Sequence, residues 1–318
     1  MKSFLLLFFS IATLWADAHI FVYHRFNDSR YPTTNTTDEQ LRSDFEYFKT
    51  NGYKIVPLAT LVEKLDKKES IPDNWVVITI DDNYKSFYEN GLPIFREYNY
   101  PFSLFVFVEG TDKKYPDYTT WEQLREISKY GSIEFHSYGH GHMTHMSKKE
   151  IIKDFDKGMS LIKKNLNLTP KYFSYPYGEF TPRVKETVKE YGFEAIINQN
   201  MGAVASFSDK YDLDRAALVG KSDLKPHLNQ KALEATWEET LTYPQDKVLK
   251  KIHVKTNATA TKGKIYLSGY GWTDISLKDG ELIHTFNKKL LHTRSRVIVS
   301  VGNQISNKLI IKDSYGTK

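Results

Sequence analysis

Two adjacent carboxylates, Asp81 and Asp82, directly follow an apolar run over residues 75–80. The run predicts a buried strand, and carboxylates at the end of such a strand are costly unless something compensates their charge. Metal binding by one carboxylate and proton transfer by the other would be such a use. A cap on a following helix is the alternative interpretation, although a single Asp would suffice for it.

Four of the chain's ten histidines fall within ten residues: His136, His140, His142 and His145. They follow another predicted strand, and the glycines between them favour a loop. A loop can bring two imidazoles onto one ion, and an Asp with two His is a complete ligand set for a catalytic Zn²⁺-like ion. The second Asp is then free as a base. A polar surface loop remains the alternative interpretation.

Two further polar segments each follow a predicted strand. Ser174-Tyr-Pro-Tyr-Gly178 contains a Pro and a Gly that favour a tight turn, and Tyr23-His24 ends the first strand. In parallel α/β folds the C-terminal ends of the strands share one edge, where active sites assemble. We therefore expect all four polar segments to lie close together.

The elements that position these segments alternate between strand and helix, which is typical of a parallel α/β architecture. Strands are predicted over residues 19–23, 55–56, 75–80, 102–108, 132–135, 172–174 and 195–197. Helices are predicted over residues 37–51, 58–67, 84–98, 120–130, 147–166, 182–191 and 228–241. From residue 248 onward, short alternating runs between Gly, Asn and Asp turns predict a small antiparallel β-domain.

Composition limits the class of protein. The chain has 318 residues, of which 14% are aromatic, and this excludes a disordered chain. There is no cysteine, so any metal must be held by His, Asp or Glu. Residues 245–318 carry 14 Lys and Arg against five Asp and Glu, a net charge of +9. This excess predicts either plain solubility or a contact with an anionic envelope or export-machinery component.

The N-terminus predicts a secretory signal peptide. Lys2 precedes an apolar stretch over residues 4–15, and Ala16-Asp17-Ala18 has the small-x-small pattern of a cleavage site. The stretch is too short to span a membrane. We predict a signal peptide over residues 1–18, a catalytic domain over 19–243 and a β-sandwich-like accessory domain over 244–318. The mature protein is expected in the periplasm or secreted.

Three motifs resemble those of the polysaccharide deacetylases of carbohydrate esterase family 4, which share the NodB-homology domain. Thr79-Ile-Asp-Asp82 is similar to the family's Thr-Phe-Asp-Asp-Gly, His136-Ser-Tyr-Gly-His140 to His-Ser/Thr-x-x-His, and Ser174-Tyr-Pro-Tyr-Gly178 to Arg-x-Pro-Tyr-Gly. The resemblance covers residues 18–241. It implies a deformed (β/α) barrel of about seven strands, and hydrolysis of acetamide, less often acetate ester, on a sugar polymer.

The resemblance also implies roles for individual residues. Asp81 would be the general base, Ser137 would support the histidine loop, and the N–H of Tyr177 would help hold the oxyanion. The implied ligands of a divalent metal are Asp82, His136 and His140. Zn²⁺ is the default for this set, and Fe²⁺, Co²⁺ or Ni²⁺ would fit the same ligands. The residues expected to contact sugar rings are Tyr138, Tyr175 and Pro176.

The chain departs from the family pattern at two motif positions. Asn83 replaces a Gly, and Asn tolerates positive φ better than most residues, so the turn is expected to survive. Ser174 replaces the Arg that orients the base, and Arg215 or Arg25 is the predicted substitute.

The general acid is also in question. Leu224-Lys-Pro-His227 has the letters of the family's C-terminal Leu-x-x-His motif, but its proline suits a strand end poorly. His24 resembles the Tyr-His of the poly-β-1,6-N-acetylglucosamine deacetylase branch, whose first strand supplies this His. His24 is therefore our candidate for protonating the leaving amine.

The leading interpretation is a secreted, metal-dependent polysaccharide N-deacetylase with a polysaccharide as partner. A peptidoglycan deacetylase, a catalytically inactive carbohydrate-binding or export protein, and a secreted metal-binding protein are the alternatives. No nucleic-acid partner is predicted, and the sequence does not determine the oligomeric state.

Overall fold

The structure, a computed structural model, describes residues 17–239 and 241–315. The predicted signal peptide lies outside these residues, except for Asp17 and Ala18. No helix within the described ranges has the length and apolar character needed to cross a lipid bilayer.

The N-terminal body alternates strands with helices, as the pattern predicts. Its strands are β1 (His19–Tyr23), β2 (Arg25–Phe26), β3 (Asn35–Thr36), β4 (Lys54–Ile55), β5 (Trp75–Asp81), β6 (Ser103–Val106), β7 (Ser132–Phe135), β8 (Tyr172–Ser174), β9 (Ala195–Ile197) and β10 (Ala216–Ala217). Its helices are α1 (Asp38–Thr50), α2 (Leu58–Asp66), α3 (Leu92–Tyr98), α4 (Val108–Asp112), α5 (Trp121–Ile127), α6 (Lys148–Leu166), α7 (Pro182–Lys189) and α8 (Leu224–Leu228).

The main sheet is parallel and runs in the order β10-β1-β5-β6-β7-β8-β9, with β4 attached to β5. Every residue of β1 and β5 is buried, because each face of the sheet packs against its own core. Ile78 lies in the core on one side and Val77 in the core on the other. The predicted deformed barrel of about seven strands is confirmed.

The register of this sheet aligns the ends of its strands. Tyr23 of β1 pairs with Ile80 of β5, and Phe135 of β7 pairs with Phe173 of β8. The next residue along each strand is polar, so His24 comes beside Asp81 and His136 beside Ser174. Parallel pairing thus gathers the four polar segments at one edge, as expected.

The C-terminal part forms two packed sheets, which are antiparallel except where residues 231–232 pair in parallel with residues 304–305. Its strands are β11 (Lys231–Ala232), β12 (Ala235–Trp237), β13 (Val248–Thr256), β14 (Lys262–Leu267), β15 (Gly271–Ser276), β16 (Glu281–Lys289), β17 (Arg294–Val301) and β18 (Gln304–Ile311). One sheet has the order β11-β18-β17-β14-β15 and the other β12-β13-β16. Residues such as Ile252, Leu267 and Val299 fill the core between them. The predicted small β-domain is confirmed.

The predicted helix over residues 228–241 is wrong. Helix α8 ends at Leu228, and the chain continues as β11 and β12, which pair with β18 and β13. Leu233, Ala235 and Trp237 recur at every second residue, which suits a strand. The register partners of β11 and β12 lie 17 to 73 residues further along the chain, beyond any local pattern. The domain division at residue 243 stays a prediction, although two strands before it already pair with strands after it.

Candidate active site

Asp82, His136 and His140 converge at the C-terminal edge of the parallel sheet. Nε2 of His140 lies 3.1 Å from Oδ1 of Asp82 and 3.1 Å from Nε2 of His136, and the potential ligand atoms of all three residues lie within 4.8 Å of one another. Oδ1 of Asp82 is buried without a hydrogen-bond partner. A buried acceptor facing two imidazole nitrogens fits a divalent cation of the Zn²⁺ type.

The tautomer of His136 suits metal binding. Its Nδ1 lies 2.7 Å from the carbonyl oxygen of Ser174, which can only accept, so Nδ1 carries the proton and Nε2 keeps its lone pair. Burial lowers the pKa of His136 to about 4, so the ring is neutral at pH 7. Burial alone would raise the pKa of Asp82, but His140 and His136 hold it below its ordinary value. The set is therefore one carboxylate and at least one neutral imidazole.

The turn after β5 is held by Asn83. Asp82 and Asn83 both have positive φ, 71° and 45°, so the expectation that Asn sustains this turn is confirmed. The Asn83 side chain is fully buried: its Nδ2 donates to the hydroxyls of Thr111 and Thr119, and its Oδ1 accepts from the N–H of Phe107. A glycine at this position would have none of these contacts.

The histidine loop is held from two sides. Ser137 has a φ of 69°, and its hydroxyl accepts a hydrogen bond from the N–H of His140 at 2.8 Å, which confirms its predicted supporting contact. Asp154 of α6 accepts from the N–H groups of Tyr138 and Gly139 at 2.8 and 2.7 Å. Asp154 is not among the residues predicted from sequence, because nothing local marks one carboxylate of a long helix as a loop anchor.

Asp81 is held by a buried arginine. Nη1 of Arg215 donates to Oδ1 of Asp81 at 2.8 Å and Nη2 donates to Oδ2 at 2.6 Å, and neither side chain is more than 3% exposed. Nη2 also donates to the hydroxyl of Ser174 at 2.7 Å. Burial opposes ionisation of Asp81, but Arg215 and His136 outweigh it and lower the pKa of this carboxyl. Asp81 is therefore ionised and oriented, as a base must be.

Of the two predicted substitutes for the missing motif arginine, Arg215 is the one that contacts Asp81. Arg25 instead pairs with Asp28 at 2.8 Å, and its guanidinium lies between the rings of Tyr31 and Tyr84. Arg215 lies 18 residues after the end of β9 and directly precedes β10, so the strand-end rule that identified the other segments does not apply to it.

The two histidines considered as general acid lie at opposite ends of β1. His24 follows the C-terminal end of the strand, directly after Tyr23, whose register partner Ile80 precedes Asp81 and Asp82. His227 packs against Phe21, and burial lowers its pKa. His227 is therefore remote from the carboxylates, and His24 stays the candidate acid.

Tyr177 lies in a short 3₁₀ turn, Pro176–Gly178, with a φ of 59°. Its side chain is 41% exposed, and its ring stacks on His142 with centroids 4.1 Å apart. The same ring meets His140 edge-on at 4.6 Å. His142 in turn lies 2.7 Å from Glu179, measured from Nδ1 to Oε2. The Tyr177 ring thus covers the predicted metal ligands from the solvent side.

The three residues predicted to contact sugar rings are buried: Tyr138, Tyr175 and Pro176. Tyr175 has no exposed surface, its N–H donates to Ile197 as an extension of β8, and its ring stacks on Phe180. Tyr138 is 7% exposed and its hydroxyl donates to Asp112. The prediction of sugar contact is wrong for all three, because the motif turns these side chains into the core.

A family model described as polysaccharide deacetylase matches residues 68–196, a range that contains Asp81, Asp82, His136, His140 and Tyr177. The chain carries a polysaccharide deacetylase domain. The family resemblance inferred from the three motifs is confirmed.

The curated relatives of this deacetylase domain include two poly-β-1,6-N-acetyl-D-glucosamine N-deacetylases. The protein from Escherichia coli K12 is 23% identical over 248 residues, which cover 64% of this chain and 36% of that protein. The protein from Staphylococcus aureus MRSA252 is 26% identical over 191 residues, which cover 54% of this chain and 65% of that protein. The chain thus spans about a third of the length of the first relative and about two thirds of the second.

Solved structures share the fold of the deacetylase domain. Streptococcus pyogenes deacetylase PplD in complex with acetate superposes with a TM-score of 0.60 at 17% identity, covering 65% of this chain and 94% of that one. IcaB from Ammonifex degensii superposes with a TM-score of 0.56 at 22% identity, covering 64% and 92%.

Proposed function

We propose that this protein is a secreted, metal-dependent polysaccharide N-deacetylase that removes acetyl groups from amino-sugar polymers. One observation carries the proposal: a buried, arginine-paired carboxylate, Asp81, stands beside the set of Asp82, His136 and His140. This set has an acceptor atom that no protein group satisfies. The names of the curated relatives make poly-β-1,6-N-acetylglucosamine the first polymer to test.

When bound, a divalent ion supplies Lewis-acid chemistry, because it lowers the pKa of a coordinated water and polarises a carbonyl. Asp82, His136 and His140 would hold it. Zn²⁺ is the proposed ion, with Fe²⁺, Co²⁺ and Ni²⁺ as alternatives.

The protein's own groups then carry the proton transfers. Asp81 accepts a proton as water attacks the acetyl carbon, and Arg215 keeps the carboxylate oriented for this. The N–H of Tyr177 donates to the oxyanion that forms on the carbonyl oxygen, and a single donor of this kind is typically worth about 3 kcal/mol. His24 donates a proton to the nitrogen as the carbon–nitrogen bond breaks, which leaves acetate and a free amine.

An inactive protein that retains the fold was an alternative because Asn83 and Ser174 depart from the motifs. Both departures are compensated in the structure. Asn83 adopts the positive φ that a Gly would supply, and Arg215 provides the guanidinium that Ser174 lacks. This compensation favours an active enzyme.

Acetate release from the purified full chain tests the proposal. The substrates are β-1,6-linked N-acetylglucosamine polymer, chitin oligomers, peptidoglycan and O-acetylated glycans. We expect release from the first, loss with a chelator, and recovery on adding back one of the four metals. Asp81→Asn should abolish release, whereas Asp66→Asn, a surface carboxylate paired with Lys210, should not.

Two results would reassign the activity. Faster release from peptidoglycan than from the other substrates would make the protein a peptidoglycan deacetylase. No release from any substrate, in a folded protein that contains metal, would contradict the enzyme and leave a binding protein.

Secretion is proposed from the sequence of residues 1–18, and the cleavage point follows from the residues beside it. Asp17 is buried and its Oδ2 accepts the N–H of Ala232 at 2.7 Å, while Ala18 exchanges backbone hydrogen bonds with Val204. We propose that cleavage leaves both residues on the mature chain. Intact mass of the exported protein should show Asp17 retained, and an N-terminus at His19 would contradict this.

A further inference from the structure

The C-terminal β-domain presents one face of its five-stranded sheet to the deacetylase body. Trp272, Tyr266, Ile298 and Asn307 are register partners across β15, β14, β17 and β18. Partners directly opposite one another project from the same face of a sheet. At one end of this row, Nδ2 of Asn307 donates to the carbonyl of Met201 and to Asp214. The whole row therefore belongs to the face that meets the body.

The body covers only half of this face. Ile298 is 3% exposed, whereas Trp272 is 50% exposed and Tyr266 is partly exposed. The two aromatic rings have centroids 5.4 Å apart with planes inclined by 55°. Strands β14 and β15 thus extend past the edge of the body and carry an adjacent pair of aromatic rings into solvent.

The next row of the same face leads to the catalytic turn. Nη2 of Arg296 donates to the carbonyl of Gln199 and to Oδ1 of Asn200. Gln199 packs against Gly178 so tightly that a Cβ on that glycine would lie 2.5 Å from the Gln199 Cβ. Tyr177, with its exposed ring over the predicted metal ligands, directly precedes Gly178. Arg296 thus connects the body's catalytic turn with the sheet that carries the aromatic pair.

A second contact between the β-domain and the catalytic turn lies beside the first. Nη1 of Arg294 lies 3.5 Å from Glu179, and Glu179 is the partner of His142, on which Tyr177 stacks. Arg296 and Ile298 are two residues apart on β17, which places the aromatic row roughly 7 Å further along the strand than the Arg296 contact. Two arginines of β17 thus link the turn that carries Tyr177 to the sheet that carries Tyr266 and Trp272.

We propose that Tyr266 and Trp272 form a distal binding site for sugar units of the polymer whose acetyl groups the catalytic site removes. This inference rests on the proposed function. Pyranose rings present apolar C–H faces that pack on aromatic rings, while their hydroxyls stay in water, and exposed aromatic side chains with a polar rim are suited to such contacts. A polymer that passes over Tyr177 would continue onto this pair, so the β-domain extends the substrate site.

The test compares long and short substrates. With β-1,6-linked N-acetylglucosamine dimer and octamer, kcat/KM should be higher for the octamer, and the octamer-to-dimer ratio should fall about five- to tenfold in Trp272→Ala and in Tyr266→Ala. Trp272→Phe, which keeps a ring, should recover most of the ratio. The control is Tyr270→Ala: Tyr270 is also exposed, at 41%, but its hydroxyl donates to the carbonyl of Lys289 in the other sheet. It should keep the wild-type ratio.

A binding measurement separates failure of this inference from failure of the proposed function. Tryptophan fluorescence follows octamer binding to two proteins, the Asp81→Asn variant and the Asp81→Asn/Trp272→Ala double variant. If no variant releases acetate but Trp272→Ala still weakens octamer binding, the site stands and the proposed activity fails. If acetate is released and the octamer-to-dimer ratio does not change in either alanine variant, the proposed distal binding site is wrong. If the wild-type protein forms a homodimer that Trp272→Ala dissociates, while the octamer-to-dimer ratio of kcat/KM stays unchanged, the aromatic pair is a self-association surface and the proposed binding site is wrong.

Discussion

Arg215 and Asp81 are 134 residues apart in sequence and form a bidentate ion pair with no solvent access to the arginine. The hydroxyl of Ser174 accepts from this guanidinium and donates to Oδ2 of Asp81 at 3.3 Å. The serine thus fills the space beside the carboxylate, and the arginine reaches it from the segment after β9. The carboxylate proposed as the general base thus has a guanidinium partner, although the third motif carries a serine where the family has an arginine.

Replacing Arg215 by Lys should lower kcat for acetate release by about 10- to 100-fold, because a point charge cannot reproduce the two parallel hydrogen bonds. Steady-state kinetics measures this, alongside urea unfolding to confirm that the variant folds. Arg183→Lys is the matched control, since Arg183 also forms a bidentate pair, but its guanidinium contacts Asp313 and the carbonyl of Met146 rather than Asp81. An unchanged kcat in Arg215→Lys would show that Asp81 needs no orientation.

Replacing His24 by Gln should lower kcat by about 10²- to 10³-fold, because removing a general acid typically costs a factor in this range. His227→Gln should stay near the wild-type kcat, since this histidine packs beside Phe21 at the other end of β1. Turnover on the β-1,6-linked octamer measures both. The reverse pattern, with His227 essential and His24 dispensable, would refute the assignment.

Asn83→Gly restores the family residue but should destabilise this chain by about 2–3 kcal/mol. Glycine relieves the cost of positive φ, yet the N–H of Phe107 and the hydroxyls of Thr111 and Thr119 lose buried partners, each worth about 1 kcal/mol. Urea unfolding gives the difference. Asn99→Gly is the control, because Asn99 also has a positive φ (53°) but caps a helix end. A more stable Asn83→Gly protein would show that the contacts contribute little.

The stability of the fold should depend on the ionisation of Glu134. Burial raises the pKa of Glu134 to about 7, although the N–H groups of Lys171 and Tyr172 donate to it. In the unfolded chain the pKa of a glutamate is about 4.3. The stabilising contribution of protonated Glu134 is therefore complete below that pH and is lost as the pH rises to about 7.

Glu134→Gln should remove this pH dependence. Between pH 4.5 and pH 7, the free energy of unfolding of the wild type should fall relative to that of the variant by up to about 1.4 kcal/mol per pH unit. Chemical unfolding at several pH values measures the difference. Glu63→Gln, on the exposed face of α2, should follow the wild type. Parallel curves for wild type and Glu134→Gln would contradict the raised pKa.

Several parts of the molecule were predictable from local pattern. Buried strands ending in polar residues indicated the parallel sheet, and the edge at which His24, Asp81 and His136 gather followed from the geometry of parallel strands. Three motifs also predicted the family and the Asp-His-His set. Each of these rests on the spacing of neighbouring residues, which the sequence states directly.

Contacts between distant segments were not predictable in this way. Arg215 was one of two suggested partners for Asp81. Only the tertiary structure shows that Arg25 instead pairs with Asp28 and packs on two tyrosine rings. Tyr175 and Tyr138 are of a residue type that often contacts sugars, but both are buried. The direction of each ring depends on how its strand or loop packs against segments that are distant in sequence. Residues 231–237 likewise become strands only because partner strands arrive from later in the chain.

The sequence by itself determined the chemistry of this protein: which residues can bind a metal, accept a proton and end a strand. Tertiary structure decided which of them meet, which guanidinium holds Asp81, and that Arg296 of the β-domain contacts Gln199 beside the turn of Tyr177. The physical reason is that residue type and spacing act locally along the chain, whereas pairing of buried charges and exposure of a ring depend on segments brought together only by the packed core.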